Sequence, residues 1–146
     1  MMENKIAIIP KSDIEEALHN SDREYLVGNL SKKQNLRHIF DKDVEIGISD
    51  YQKETIDKPH FHTCISEYQY ILKGEIILFD IDNRKSYQLS EGDFYAVPKG
   101  NLHVQISKEN SRILFVKNKS INDKKVITVS EEVHQWIKNV LKESVK

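Results

Sequence analysis

His60 and His62 stand one residue apart in the segment Pro59-His60-Phe61-His62, and Glu67 follows five positions later. On a strand, side chains two apart share a face, so both imidazoles project one way and Phe61 the other. Pro59 lacks a backbone donor and belongs at a strand end or edge. A short loop, Thr63 to Ser66, then turns the chain so that Glu67 can open the next strand and face the same interior. Two imidazoles and a carboxylate within reach of one point are the donor set of a divalent-metal site. A His-x-His pair alone is weak evidence, because two surface histidines satisfy it.

A second segment, Glu91 to Ser107, repeats this grammar with His103: a turn at Gly92, a strand, a turn at Pro98 and Gly100, then a strand carrying the histidine. A further ligand arriving from a distant strand is what a β-barrel interior can supply. His60, His62, Glu67 and His103 are therefore the candidate metal ligands. His19, His38 and His134 are read as structural or surface residues. Cys64 is read as a small buried hydrophobe in preference to a ligand or nucleophile. The strand period puts Gln69 and Ile71 on the face of Glu67 and Gln105 on the face of His103. Val44, Ile46 and Ile48 would add an apolar wall, giving a mostly apolar pocket for a small organic ligand. Gln69 and Gln105 are read equally well as partners that hold the imidazoles in place. No arginine stands at a predicted inward position near these segments.

The elements that must position these residues are short. Val44, Ile46 and Ile48 alternate with polar or small residues, the mark of a half-buried strand. Residues 67–72, 75–80, 85–89, 94–97, 102–106 and 112–117 are rich in Ile, Val, Leu, Phe and Tyr. Turn signals separate them, among them Lys73-Gly74, Asp82-Asn83 and Glu109-Asn110. Many short, evenly spaced strands predict an all-β sandwich or barrel, and no helical stretch fits between them to make a parallel α/β sheet. Ser12 and Glu15 match a capping box, predicting a short helix over 12–19. Ser130, followed by Glu131 and Glu132, predicts the start of a C-terminal helix over about 130–145. Its stripe of Val133, Trp136, Ile137, Val140 and Leu141 suits either a cover for the barrel or the seam of a homodimer.

These two histidine segments resemble the two motifs of the cupin superfamily, G-x5-H-x-H-x3,4-E-x6-G and G-x5-P-x-G-x2-H-x3-N. The first is matched by His60, His62, Glu67 and Gly74, the second by Gly92, Pro98, Gly100 and His103; Glu54 and Ser107 stand where the first glycine and the asparagine are expected. Eight of ten fixed positions agree, across residues 54–107. The resemblance implies a double-stranded β-helix, or jelly roll. It also implies one divalent ion (Fe, Mn, Ni, Co or Zn) on His60, His62, Glu67 and His103. It allows three functions: a metal-dependent enzyme of oxygenase or isomerase/epimerase type, a small-molecule binding or sensing module, and a zinc-stapled structural domain.

Composition narrows the rest. At 146 residues the chain suits a single domain, 1–146. A single cysteine excludes an intramolecular disulfide. Basic and acidic residues nearly cancel, 22 against 23, so nothing points to nucleic acid. No apolar run is long enough to cross a membrane, and residues 1–13 do not read as a secretory leader, so the expected partner is a small molecule and the expected compartment the cytoplasm.

Overall fold

The computed structural model describes residues 4–144. In chain order the elements are α1 (Lys11–His19), β1 (Arg23–Gly28), β2 (Ile39–Phe40), β3 (Glu45–Tyr51), β4 (Thr55–His62), β5 (Glu67–Lys73), β6 (Glu75–Asp80), β7 (Lys85–Ser90), β8 (Phe94–Val97), β9 (His103–Ser107), β10 (Ser111–Lys117), β11 (Lys124–Val126) and α2 (Glu131–Ser144). The strands form two sheets, ordered β2-β1-β3-β10-β5-β8 and β11-β4-β9-β6-β7, antiparallel except for the β1–β2 pair. The result is a jelly-roll β-sandwich; no ladder joins the two sheets among the described residues, so it is not a closed barrel.

Alternation decides what each sheet turns inward. Along β10, Ser111, Ile113 and Phe115 are buried while Arg112, Leu114 and Val116 are only half-buried. Between the sheets lies one core cluster of Ile71, Ile76, Leu78, Tyr95, Val97 and Ile113. The β5–β6 turn closes on Gly74, whose φ is +89° and where a Cβ would fall 2.2 Å from Ser111 Oγ. Neither the conformation nor the space suits another residue.

The outer face of the five-stranded sheet is apolar too, and α2 covers it. Val133, Trp136, Ile137, Val140 and Leu141 pack against Ile77, Phe79, Val104 and Ile106. Ser130 Oγ accepts from Val133 N at 3.3 Å, the expected N-cap. The stripe is thus occupied within the chain and is not a free dimer seam.

Three expectations fail at element level. The first helix begins at Lys11 with Pro10 in the N-cap position and no side-chain cap bond. Glu15 is drawn away from capping by a bidentate bond from Arg112, at 2.7 and 3.0 Å. In β3 the inward, buried residues are Glu45, Gly47 and Ser49, so Ile46 and Ile48 point to the outer face and do not line a pocket. Three strands, β1, β2 and β11, have no counterpart in the sequence reading.

Candidate metal centre

His60 and His62 end β4, His103 opens β9 beside it, and Glu67 opens β5 on the opposite sheet. Antiparallel pairing sets His60 directly against His103. Their ring centroids lie 4.3 Å apart; His60 to His62 is 5.2 Å and His62 to His103 is 6.4 Å. Glu67 Oε2 lies 3.5 Å from His62 Nε2. The fold therefore brings all four sequence-predicted ligands to one place, and all three imidazoles are buried.

Each imidazole uses its Nδ1 away from that place. His60 Nδ1 meets Lys58 O at 2.7 Å and His103 Nδ1 meets Asn101 O at 2.9 Å. His62 Nδ1 meets Asp123 Oδ1 at 2.9 Å. A carbonyl or carboxylate can only accept, so Nδ1 carries the proton in all three rings, and Nε2 is the nitrogen left for the interior, with a free lone pair whenever the ring is neutral. Asp123 also accepts from Cys64 N and Ile65 N through Oδ2, at 2.7 and 3.1 Å, which anchors the 63–66 loop. Cys64 itself is exposed, not the buried hydrophobe expected, because this loop lies on the surface and turns its side chain outward.

Charge is strongly graded across the cluster. Burial alone would raise Glu67, but the bond from His62 and the charges of Lys117 and Arg23 bring its carboxyl down to about 2. Burial lowers His60 to about 4 and lowers His103 as well. Burial works in the same direction on His62, yet its bonds to Glu67 and Asp123 outweigh it and raise the group. As placed, no set of three or more His, Cys, Asp or Glu among the described residues is drawn up into a ready-made metal cage.

Gln69 and Gln105 belong to a buried network beside the cluster. Gln69 Nε2 donates to Glu67 Oε1 at 2.7 Å, and the Tyr95 hydroxyl bonds Gln69 Oε1 and lies 2.7 Å from Gln105 Oε1. Gln69 thus steadies the carboxylate, not an imidazole. Ile71 is fully buried in the core. Two cavities flank the cluster instead. One of about 310 Å³ meets His103 and is walled by Leu78, Leu89, Phe94, Tyr95 and Val97. The other, about 430 Å³, meets His62 and is lined by Arg23, Tyr25, Glu45, Lys117 and Ser120 among others. Arg23 is a residue the sequence reading missed. It lies on β1, whose inward side chains, Arg23 and Tyr25, are polar or amphipathic and so carry no apolar alternation. Asp123 was missed too, because it stands 61 positions from His62 in a loop with no pattern of its own.

The family model for cupins matches residues 31–146. The chain belongs to the cupin family. Among solved structures, this cupin is similar to KdgF from Halomonas sp., at 18% identity and TM-score 0.50, covering 57% of this chain and 75% of that one. It is similar to the polyketide cyclase RemF from Streptomyces resistomycificus at 18% identity and TM-score 0.53, covering 67% and 70%. It is similar also to Streptomyces PAC13, solved with uridine, at 12% identity and TM-score 0.52, covering 64% and 75%. At these identities the likeness is one of fold. A comparison with curated proteins finds no match.

Proposed function

We propose that this cupin binds one divalent ion, Fe, Mn, Ni, Co or Zn, through His60, His62, Glu67 and His103 and acts as a metal-dependent enzyme on a small organic molecule. The observation that carries this reading is the common use of Nδ1: all three imidazoles spend it on fixed acceptors, which leaves Nε2 as the nitrogen available to an ion; that of His62 lies 3.5 Å from Glu67 and that of His60 3.8 Å from Asp57. That is the outer-shell pattern that presents histidine to a metal. The donor set fits. A proton that His62 takes up at Nε2 would lie beside Glu67, 3.5 Å away, and a divalent ion held by the same donors would compete with it. The ion would supply Lewis-acid chemistry to a polar group of the substrate.

The protein's own residues supply the rest. Gln69 holds one oxygen of Glu67, leaving the other toward His62. The apolar cavity at His103 and the polar one at His62 give room for a small substrate on either side. An oxygenase or isomerase/epimerase reaction suits such a site. The cyclase RemF shares the fold at a level that supports a catalytic reading by analogy only.

Metal analysis of the purified protein tests it, followed by an oxygen-uptake screen of the Fe(II) form. One ion per chain is expected in wild type, with loss in His62→Ala and His103→Ala. Full metal content in either variant would overturn the ligand assignment.

A further inference from the structure

Arg23 is a cation in an unusual setting. Its Nε donates to Ser49 Oγ at 2.9 Å and its Cζ stands 5.1 Å from the centre of the Phe115 ring. Ser49 and Phe115 are both buried on the inner face of the six-stranded sheet, so Arg23 points into the sandwich. Protein surrounds the guanidinium, yet the residue remains exposed. The two facts agree if the exposed part faces the cavity at His62 and not the outside, and Arg23 does line that cavity.

Lys117 lines it as well, with Nζ 5.6 Å from the same Phe115 ring. The two cations differ in their partners. Lys117 Nζ is 3.3 Å from Glu45 Oε1, and Glu45 Oε2 is in turn bonded by Ser120 at 2.9 Å. Arg23 has no carboxylate within 4.0 Å among the described residues; its neighbours are a serine and the hydroxyls of Tyr25 and Tyr51. The remaining acid nearby, Glu67, faces His62. The charge of Arg23 is balanced only at a distance, by Glu67, and an enclosed cation with no carboxylate in contact leaves its donors open to an anion. A guanidinium presents parallel N–H donors that match a carboxylate.

We infer that Arg23, assisted by Lys117, forms the subsite that holds a carboxylate of the substrate, in the cavity bordered by His62. This rests on the reading of the histidine cluster as the reactive centre, and it gives that reading a substrate class: small organic acids. The Arg23 guanidinium binds the carboxylate; the Phe115 ring fixes its plane from below; the opposite end of the acid reaches toward His62. Glu67 does not repel such an anion once its charge is committed to an ion on the histidines.

The test is a titration of the ¹⁵N-labelled protein with propionate, and separately with neutral propionamide and with inorganic phosphate, following the Arg23 Nε–H signal. It is run on the metal-free and the metal-loaded protein. Saturable shifts with propionate and none with propionamide are expected. Binding should fall at least tenfold in Arg23→Gln and less in Arg23→Lys, with wild-type metal content in both. Lys117→Gln is the second variant should Arg23→Gln fail to fold, with a weaker loss expected. Equal binding of propionamide, tighter binding of phosphate, or propionate binding unchanged in Arg23→Gln (or in a folded Lys117→Gln if that variant must stand in) would overturn the assignment. Propionate binding that depends on Arg23 in a protein that takes up no metal would sink the metal centre and leave this subsite standing.

Discussion

Asp123 illustrates how much of the proposed centre depends on side chains that never touch the ion. Its Oδ1 holds His62 Nδ1 at 2.9 Å, and its Oδ2 takes two backbone amides of the 63–66 loop. Asp123→Asn keeps the size but loses the charge and one acceptor. Metal affinity should drop by about 10–100-fold, the usual cost of losing such a partner; competition with a chromophoric chelator measures it, and unchanged affinity would deny Asp123 that role. The histidines also set a pH response in the metal-free protein. His60 is lowered to about 4 and His103 is lowered, both by burial, so the unfolded chain takes up their protons at higher pH than the folded one. Stability from these two groups is full above the unfolded value of about 6.5 and is lost as pH falls toward 4. His62, raised by its two carboxylates, adds stability as pH falls through its raised value toward 6.5, above the window in which His60 and His103 act, and does not offset their loss below it. The metal-free melting temperature should therefore fall between pH 7 and pH 4.5. A melting temperature that rises over that interval would contradict the burial argument.

At the scale of elements, α2 is the part most plainly written in the sequence. Its five apolar positions recur at helical spacing, its cap is a serine, and both features are present as read. Trp136 is only half-buried, edge-on to Phe79 at 5.6 Å and beneath Arg84. Trp136→Ala should cost about 2 kcal/mol, less than a fully buried tryptophan, and a denaturant melt that shows no change would mean that the helix is held by its other four contacts. Gly47 makes a second test. It faces inward under Phe115, and a Cβ there would lie 2.3 Å from the ring and 2.9 Å from the Glu24 carbonyl. Gly47→Val should push the ring aside and destabilise the fold by about 1–3 kcal/mol. Phe115 is the ring on which both Arg23 and Lys117 rest, so the same variant should weaken propionate binding. β6 and β10 were legible as runs of apolar residues: β6 is buried on both faces, between the core and α2, and β10 turns alternate residues to the core. β3 misled: its alternation is genuine, but the inner face meets a polar cavity, so Glu45, Gly47 and Ser49 go in and the isoleucines go out. β1 was silent for the same reason. The four candidate ligands were legible from residue type and spacing; Arg23 and Asp123 were not, since each reaches the site through tertiary placement alone.

The whole molecule gives the proposed ion a mechanical task. Among the described residues no ladder of hydrogen bonds joins the two sheets, which are held face to face by packed side chains such as Ile71, Leu78 and Tyr95. Three of the four candidate ligands, His60, His62 and His103, stand on the five-stranded sheet, and Glu67 alone stands on the six-stranded one. An ion bound by all four would tie the sheets together at the end where the cavities open. Ligand binding to the folded state alone stabilises it by about 2.7 kcal/mol at a hundredfold excess over Kd. For a chain of this size that is a rise of about 5–10 °C in melting temperature. Glu67→Gln separates the cross-link from simple binding. It leaves three imidazoles on one sheet, so it should retain part of the metal affinity. It should lose the extra protection of β5 amides from hydrogen exchange that the ion confers on wild type. Equal protection of β5 in wild type and Glu67→Gln, both metal-loaded, would show that the ion sits on one sheet only, and a melting temperature unmoved by saturating divalent metal would show that it does not bind the folded state at all.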